Sequence, residues 1–142
     1  MISLGVDIGG TGAKCVAFDD HGAQLALSYI EYPNPPGKAN LEPQVLSDSG
    51  GRGIRDCVQA LPARDAVAAI TVSSFGESFV PIDEQGAPLT DIIMYFANSE
   101  SGEFDELVRR VGEETFMRVA RILPDASYSL AKMLYTLRTA QR

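Results

Sequence analysis

Basic residues are scarce in this sequence, and they are scattered. Twelve lysines and arginines stand against nineteen aspartates and glutamates in 142 residues, a formal net charge of −7. A protein that tracks a phosphate backbone carries a basic stripe or patch, whereas the most basic stretch here, Arg109-Arg110, sits among acids. Nucleic acid is therefore not an expected partner. No apolar run approaches the roughly 18 residues that span a bilayer. Met1-Ile2-Ser3-Leu4-Gly5-Val6-Asp7 has neither the basic stretch nor the long apolar segment of a secretion signal. The expected setting is cytoplasmic, without a membrane. Cysteine is limited to Cys15 and Cys57, which form no disulfide framework and no metal-ligand or redox spacing. Both are expected as reduced packing residues.

What is present is the composition of a globular protein. Hydrophobic residues make up 45 % of the chain, and the length suits a domain able to bury a core. Ile2, Leu4, Val6 and Ile8 alternate with Ser3, Gly5 and Asp7, which predicts a strand with a carboxylate at its C-terminal end. Gly9-Gly10-Thr11-Gly12 predicts a tight turn, because three glycines in four positions permit backbone angles other residues avoid. A second strand is expected over Lys14–Phe18, a hairpin turn at Asp19-Asp20-His21-Gly22 with a solvated His21, and a third strand over Gln24–Glu31. The opening thus reads as three antiparallel strands.

Pro33, Pro35, Pro36, Gly37 and Pro43 mark an extended loop. A helix is expected within Gln44–Leu61, weakened in its first half by Gly50, Gly51 and Gly53. Ala66–Val72 reads as a buried strand and Phe79–Ile82 as another, followed by a turn at Asp83–Gly86 and a short strand at Asp91–Tyr95. From Gly102 onward the pattern is helical through Val119 and Ala120. Pro124 interrupts it, and Leu130, Met133, Leu134 and Leu137 mark a last amphipathic helix. That apolar stripe has to pack on something, and left uncovered it predicts a homodimer or other self-association.

The chemistry concentrates at Asp7-Ile8-Gly9-Gly10-Thr11-Gly12-Ala13-Lys14. A glycine-rich turn lets backbone N–H groups approach phosphate oxygens, and Thr11 adds a hydroxyl donor. Asp7 could hold Mg²⁺, which favours one or two carboxylates supplemented by phosphate oxygens. Lys14 could reach the charge on a transferred phosphoryl group. The run is not a Walker A loop, which requires a different glycine spacing and leads into a helix. A strand, a glycine turn and a strand also describe a plain hairpin.

Asp-Ile-Gly-Gly-Thr-Gly-Ala-Lys at the N-terminus resembles the first phosphate motif of the superfamily of sugar kinases, heat-shock ATPases and actin. Repressor-type sugar kinases open on a similar run. The stretches Ala69–Ser78 and Pro81–Leu89, then Ile92-Ile93-Met94-Tyr95 and Ser127–Tyr135, resemble in order the FGGY family of carbohydrate kinases, whose members include xylulokinase-like and glycerol-kinase-like enzymes. The resemblance spans the chain. It implies an α/β, ribonuclease-H-like (actin-like ATPase) first lobe, with a mixed sheet opening on three antiparallel strands and flanked by helices, here incomplete: residues 1–142 would form part of the N-terminal lobe, without the second lobe.

The resemblance further implies an ATP-dependent kinase acting on a sugar or polyol hydroxyl. ATP phosphates would meet Gly9, Gly10, Thr11, Gly12 and Lys14, with Mg²⁺ at Asp7. The loop after the fourth strand would bind the substrate through Phe75, Gly76 and Glu77, Glu77 matching an acidic residue that accepts from substrate hydroxyls. A carboxylate suits that task because it accepts from two neighbouring hydroxyls; as a loop glutamate it would equally suit a solvated surface. Two departures bear on the sugar. The loop reads Ser74-Phe75-Gly76-Glu77 where many relatives carry Gln, Met-His or Arg-Glu, and Tyr95-Phe96-Ala97-Asn98 puts Asn98 one position late for the usual polar residue. The catalytic base is expected beyond residue 142, so the segment alone is expected to be inactive. Asp125 does not match the motif that carries the base. The other readings are a non-catalytic sugar- or nucleotide-binding module and a sugar-sensing regulator, the latter without a basic recognition helix.

Overall fold

The computed structural model describes residues 1–33, 40–62, 67–96 and 102–140, in two compact units, Met1–Gly76 and Glu77–Arg142. The first unit is built on strands β1 (Ile2–Ile8), β2 (Gly12–Asp19), β3 (Gln24–Glu31) and β4 (Val67–Ser74), with helix α1 (Pro43–Gln59). The sheet order is β3-β2-β1-β4. β1 pairs antiparallel with β2 and parallel with β4, and β2 pairs antiparallel with β3. The sheet is therefore mixed and the first three strands are antiparallel, as the alternation predicts. β2 begins at Gly12, two residues earlier than the pattern of side chains indicates.

The hairpin between β2 and β3 turns on one carboxylate. Asp19 Oδ1 accepts from the N–H groups of His21 (2.9 Å) and Ala23 (2.8 Å), and Gly22 takes φ +82°. Aspartate makes this turn because its short side chain imitates a backbone acceptor, and glycine follows because no Cβ opposes the left-handed angle.

α1 covers one face of the sheet, against β1, β2 and β3. Ile2, Leu4, Val6 and Ile8 meet Ala13, Cys15, Ala17, Cys57 and Leu61 in the core between them. The glycines do not interrupt this helix. It runs unbroken through Gly50, Gly51 and Gly53, and Ser49, Gly50, Gly53 and Cys57 are its buried positions. A Cβ on Gly50 would stand 3.1 Å from Ile8 Cδ1. Lost helix propensity is offset by a closer approach of helix to sheet.

β4 forms where expected, although Ala66 lies outside the described residues. The expectation that it is buried is corrected: Ile70 and Val72 are 54 % and 63 % exposed. β4 is an edge strand, and α1 packs on the other three strands.

In the second unit, the strands expected at Phe79–Ile82 and Asp91–Tyr95 reduce to isolated bridges, Phe79 with Ile93 and Ile82 with Pro88. Pro81 and Pro88 have no N–H to give a ladder. The intervening turn repeats the first hairpin's chemistry: Asp83 Oδ1 accepts from Gln85 N–H (2.9 Å) and Ala87 N–H (2.8 Å), and Gly86 has φ +84°. Three helices follow, α2 (Gly102–Val111), α3 (Glu113–Val119) and α4 (Ser129–Ala140). α2 packs on α3 and α4, and Arg138 of α4 reaches Glu106 (2.7 Å) and Glu103 (3.3 Å) of α2. Burial on α4 falls on Ala131 and Lys132, both 2 % exposed, while Leu130, Met133 and Leu137 of the expected apolar stripe are largely exposed. Among the described residues, no helix is long and apolar enough to cross a membrane.

Candidate functional site

Strand register assembles the first group of polar residues. On the sheet face away from α1, Tyr29 of β3 stands opposite Lys14 of β2, Lys14 opposite Asp7 of β1, and Asp7 opposite Ser73 of β4. One row across four strands thus carries a phenol, an ammonium, a carboxylate and a hydroxyl. It ends against the glycine turn, which closes through Gly9 N–H to the Gly12 carbonyl at 2.9 Å. Asp7, Gly9, Thr11, Gly12, Lys14 and Tyr29 line a cleft of about 320 Å³.

Tyr29 shapes this cleft, and the sequence reading did not single it out. Its hydroxyl lies 3.4 Å from Thr11 Oγ1, and Lys14 Nζ sits 6.0 Å from its ring centroid. Ser73 was also missed as a site residue. Both follow from register, since residues opposite a known strand-end aspartate share its face. Gly12 cannot carry a side chain here, because its Cβ would meet Tyr29 OH at 2.6 Å and the Ile30 carbonyl at 2.7 Å. Behind the turn, Tyr32 N–H donates to the Thr11 carbonyl (2.9 Å). The Tyr32 hydroxyl is buried without a hydrogen-bond partner among the described residues. Burial raises its pKa, and the Asp7 carboxylate adds to the effect.

Of the residues expected to bind substrate, Phe75 and Gly76 close the first unit. Phe75 N–H donates to the Ile8 carbonyl at 3.2 Å, and its ring packs at the edge of the core. Gly76 is exposed. Asn98 lies outside the described residues.

Glu77 opens the second unit in the left-handed region at φ +59°, which side-chain-bearing residues rarely adopt. Its Oε2 accepts from Ser129 N–H (2.6 Å) and Ser129 Oγ (2.9 Å), at the start of α4. Lys132, one turn on, donates from Nζ to the carbonyls of Glu77 (2.6 Å), Ser127 (2.7 Å) and Tyr95 (3.2 Å), with the Met94 carbonyl at 3.5 Å. Burial lowers the pKa of this ammonium, and the Glu77 carboxylate partly opposes the shift. Ser78 Oγ accepts from Tyr95 N–H at 2.8 Å, and the Tyr95 and Phe96 rings meet edge to face at 5.0 Å. Asp125 Oδ1 accepts from Ser127 N–H (2.8 Å), and Ser127 holds its carboxyl below the usual range. Asp125 therefore shapes the turn that leads into α4.

The mixed sheet, its parallel fourth strand and the flanking helix have the α/β, actin-like fold. The solved structures agree. Xylulose kinase from Rhodospirillum rubrum superposes with a TM-score of 0.87 at 21 % identity, over 97 % of this chain and 29 % of its own. Gluconate kinase from Lactobacillus acidophilus gives 0.86 at 22 % identity, over 99 % and 29 %. In sequence, residues 2–140 match the N-terminal domain of the FGGY family of carbohydrate kinases, and the chain belongs to that family. Glycerol kinase of Thermococcus gammatolerans is 25 % identical over 138 residues, and that of Nitratidesulfovibrio vulgaris 29 % over 140. Each match covers 94 % of this chain but 28 % of the relative, so the chain spans less than a third of their length.

Proposed function

We propose that this chain is the phosphate- and acceptor-binding part of a kinase that transfers a phosphoryl group from ATP to a hydroxyl of a small sugar or polyol. The observation that carries this reading is the row Tyr29, Lys14, Asp7 and Ser73 beside the Gly9–Gly12 turn. The cradle suits phosphate. Gly12 admits no Cβ, which lets Tyr29 pack against the turn and wall the cleft, and Thr11 and Lys14 supply a hydroxyl and a cation there.

Mg²⁺ fits the same place in one specific sense. Among the described residues no cluster of three or more His, Cys, Asp or Glu could cage a metal. Mg²⁺ bound to nucleotide does not need a cage, since phosphate oxygens and water fill most of its octahedron and one carboxylate suffices. Asp7 would supply that carboxylate, and Gly9, Gly10, Thr11, Gly12 and Lys14 would hold the phosphates. ATP·Mg²⁺ supplies the phosphoryl group and neutralises its developing charge. Asp7 would orient the metal, and Lys14 would add positive charge beside the phosphoryl group in transfer.

Glu77 is assigned to the acceptor, together with Phe75, Gly76 and Asn98. Its carboxylate accepts hydrogen bonds from the acceptor's hydroxyls and so selects a polyhydroxylated substrate. Relatives named glycerol kinase and folds named xylulose and gluconate kinase support an acceptor of that size.

The test is ADP release by the complete protein with ATP·Mg²⁺ and a panel including glycerol, xylulose and gluconate. One acceptor should stimulate release strongly, and the Asp7→Ala protein should abolish the stimulation. A panel with no acceptor-dependent release would overturn the assignment.

A further inference from the structure

Lys132 is among the most buried of the described residues, 2 % exposed. A buried ammonium survives only where acceptors replace its water, and Lys132 finds them in three separate segments, at Glu77, Tyr95 and Ser127. The segment that gains most from this arrangement is Glu77. Its backbone is held in a left-handed conformation by Lys132 on its carbonyl, and its carboxylate is tied through Oε2 by both donors of Ser129. Oε1 takes part in neither Ser129 bond. A flexible glutamate on a loop would have to be ordered each time a substrate bound, whereas this one is fixed beforehand at both ends.

Resting on the reading of Glu77 as an acceptor ligand, we propose that Ser129 and Lys132 are positioning residues for acceptor binding. The first turn of α4 clamps Glu77 so that one carboxylate oxygen is spent on the helix and the other is presented to a substrate hydroxyl. The sequence shows this only in part: Ser129 and Lys132 lie one turn apart on the same helix, but Glu77 is 52 residues from Ser129.

The experiment is steady-state kinetics of the complete kinase, using glycerol, xylulose or gluconate, whichever the panel selects. Ser129→Ala removes one of the two donors on Oε2 and is expected to raise the acceptor KM by roughly tenfold, with kcat and the KM for ATP little changed. Ser129→Thr keeps the hydroxyl and is expected to restore the acceptor KM. Lys132→Met should raise the acceptor KM at least as far. Adding Ser129→Ala to Glu77→Ala should have little further effect, since both act through one carboxylate. Glu77→Ala itself separates the two ideas. If it leaves the acceptor KM unchanged, Glu77 is no ligand and the positioning role falls with it. If Glu77→Ala raises KM while Ser129→Ala does not, Glu77 remains a ligand and the positioning role is overturned. A Ser129→Ala protein in which kcat falls and both KM values rise together, without rescue by threonine, would show a merely structural contact and would also overturn it.

Discussion

A Cβ placed on Gly12 would lie 2.6 Å from the hydroxyl of Tyr29, inside the distance that any two such atoms tolerate. The second obstacle is the Ile30 carbonyl at 2.7 Å, and backbone cannot swing aside as a phenol can. Gly12→Ala is therefore expected to destabilise the protein by about 1–3 kcal/mol through overpacking. Combining it with Tyr29→Ala should recover only part of that loss. Urea unfolding of the single and double variants measures both effects. Full recovery in the double variant would mean that Tyr29 alone excludes a side chain at this position.

The glycines of α1 divide by what surrounds them. At Gly51 a new Cβ would come no nearer than 3.6 Å to Arg55, and at Gly53 no nearer than 3.8 Å to Ile30. Alanine there removes glycine's entropic penalty without crowding, so Gly51→Ala and Gly53→Ala should each stabilise by roughly 0.5–1 kcal/mol. Gly50→Ala should gain less, because Ile8 has to yield at 3.1 Å. Thermal melts of the three variants give the order directly. A Gly50→Ala protein more stable than the other two would contradict the packing argument.

These glycines show where sequence reading stops. Helix propensity counts each glycine as a cost, yet Gly50, Gly53 and Cys57 recur at helical spacing, and that small-residue stripe was the available sign of a close helix–sheet contact. Local chemistry read well. Asp19-Asp20-His21-Gly22-Ala23 and Asp83-Glu84-Gln85-Gly86-Ala87 both announce turns, because the aspartate and glycine that make them lie within five residues. The glycine turn after β1 and the strands beside it were legible for the same reason. Long-range balance was not. Periodicity marks β4 as apolar but does not say that α1 leaves Ile70 and Val72 uncovered. Nor does it say that Lys132, rather than the Leu130–Leu137 stripe, faces inward, since its partners come from residues 77, 95 and 127.

Cys15 makes a pH prediction. Burial, reinforced by Cys57 beside it, pushes the Cys15 thiol from 9.0 up to about 12. Below the lower value both folded and unfolded chains keep the proton, and the contribution to stability is fully present. Between the two values the unfolded chain has lost a proton that the folded protein retains, so stability falls as pH rises through that window. Urea midpoints are expected to drop more steeply above about pH 9 in the wild type than in Cys15→Ala. At about pH 8 iodoacetamide should label Cys15 only as fast as the protein unfolds. Rapid labelling of the native protein would refute the burial on which the argument rests.

Asp7 carries the sharpest prediction for catalysis. Its register partners, Lys14 on one side and Ser73 on the other, fix it at the centre of the polar row, and Gly9 of the same cleft lies two residues further along the chain. A carboxylate that orients a nucleotide-bound metal acts mainly on the transition state, where charge is being transferred. Asp7→Ala in the complete kinase should therefore lower kcat by about a hundredfold or more, with a much smaller change in the acceptor KM. Asp7→Asn keeps the shape but not the charge, so it should be nearly as damaging. Glu77→Ala should show the opposite pattern, a raised acceptor KM with kcat better preserved, because Glu77 is assigned to ground-state binding of hydroxyls. Near-normal turnover in Asp7→Asn would sink the metal role, since geometry alone would then be enough for whatever Asp7 does.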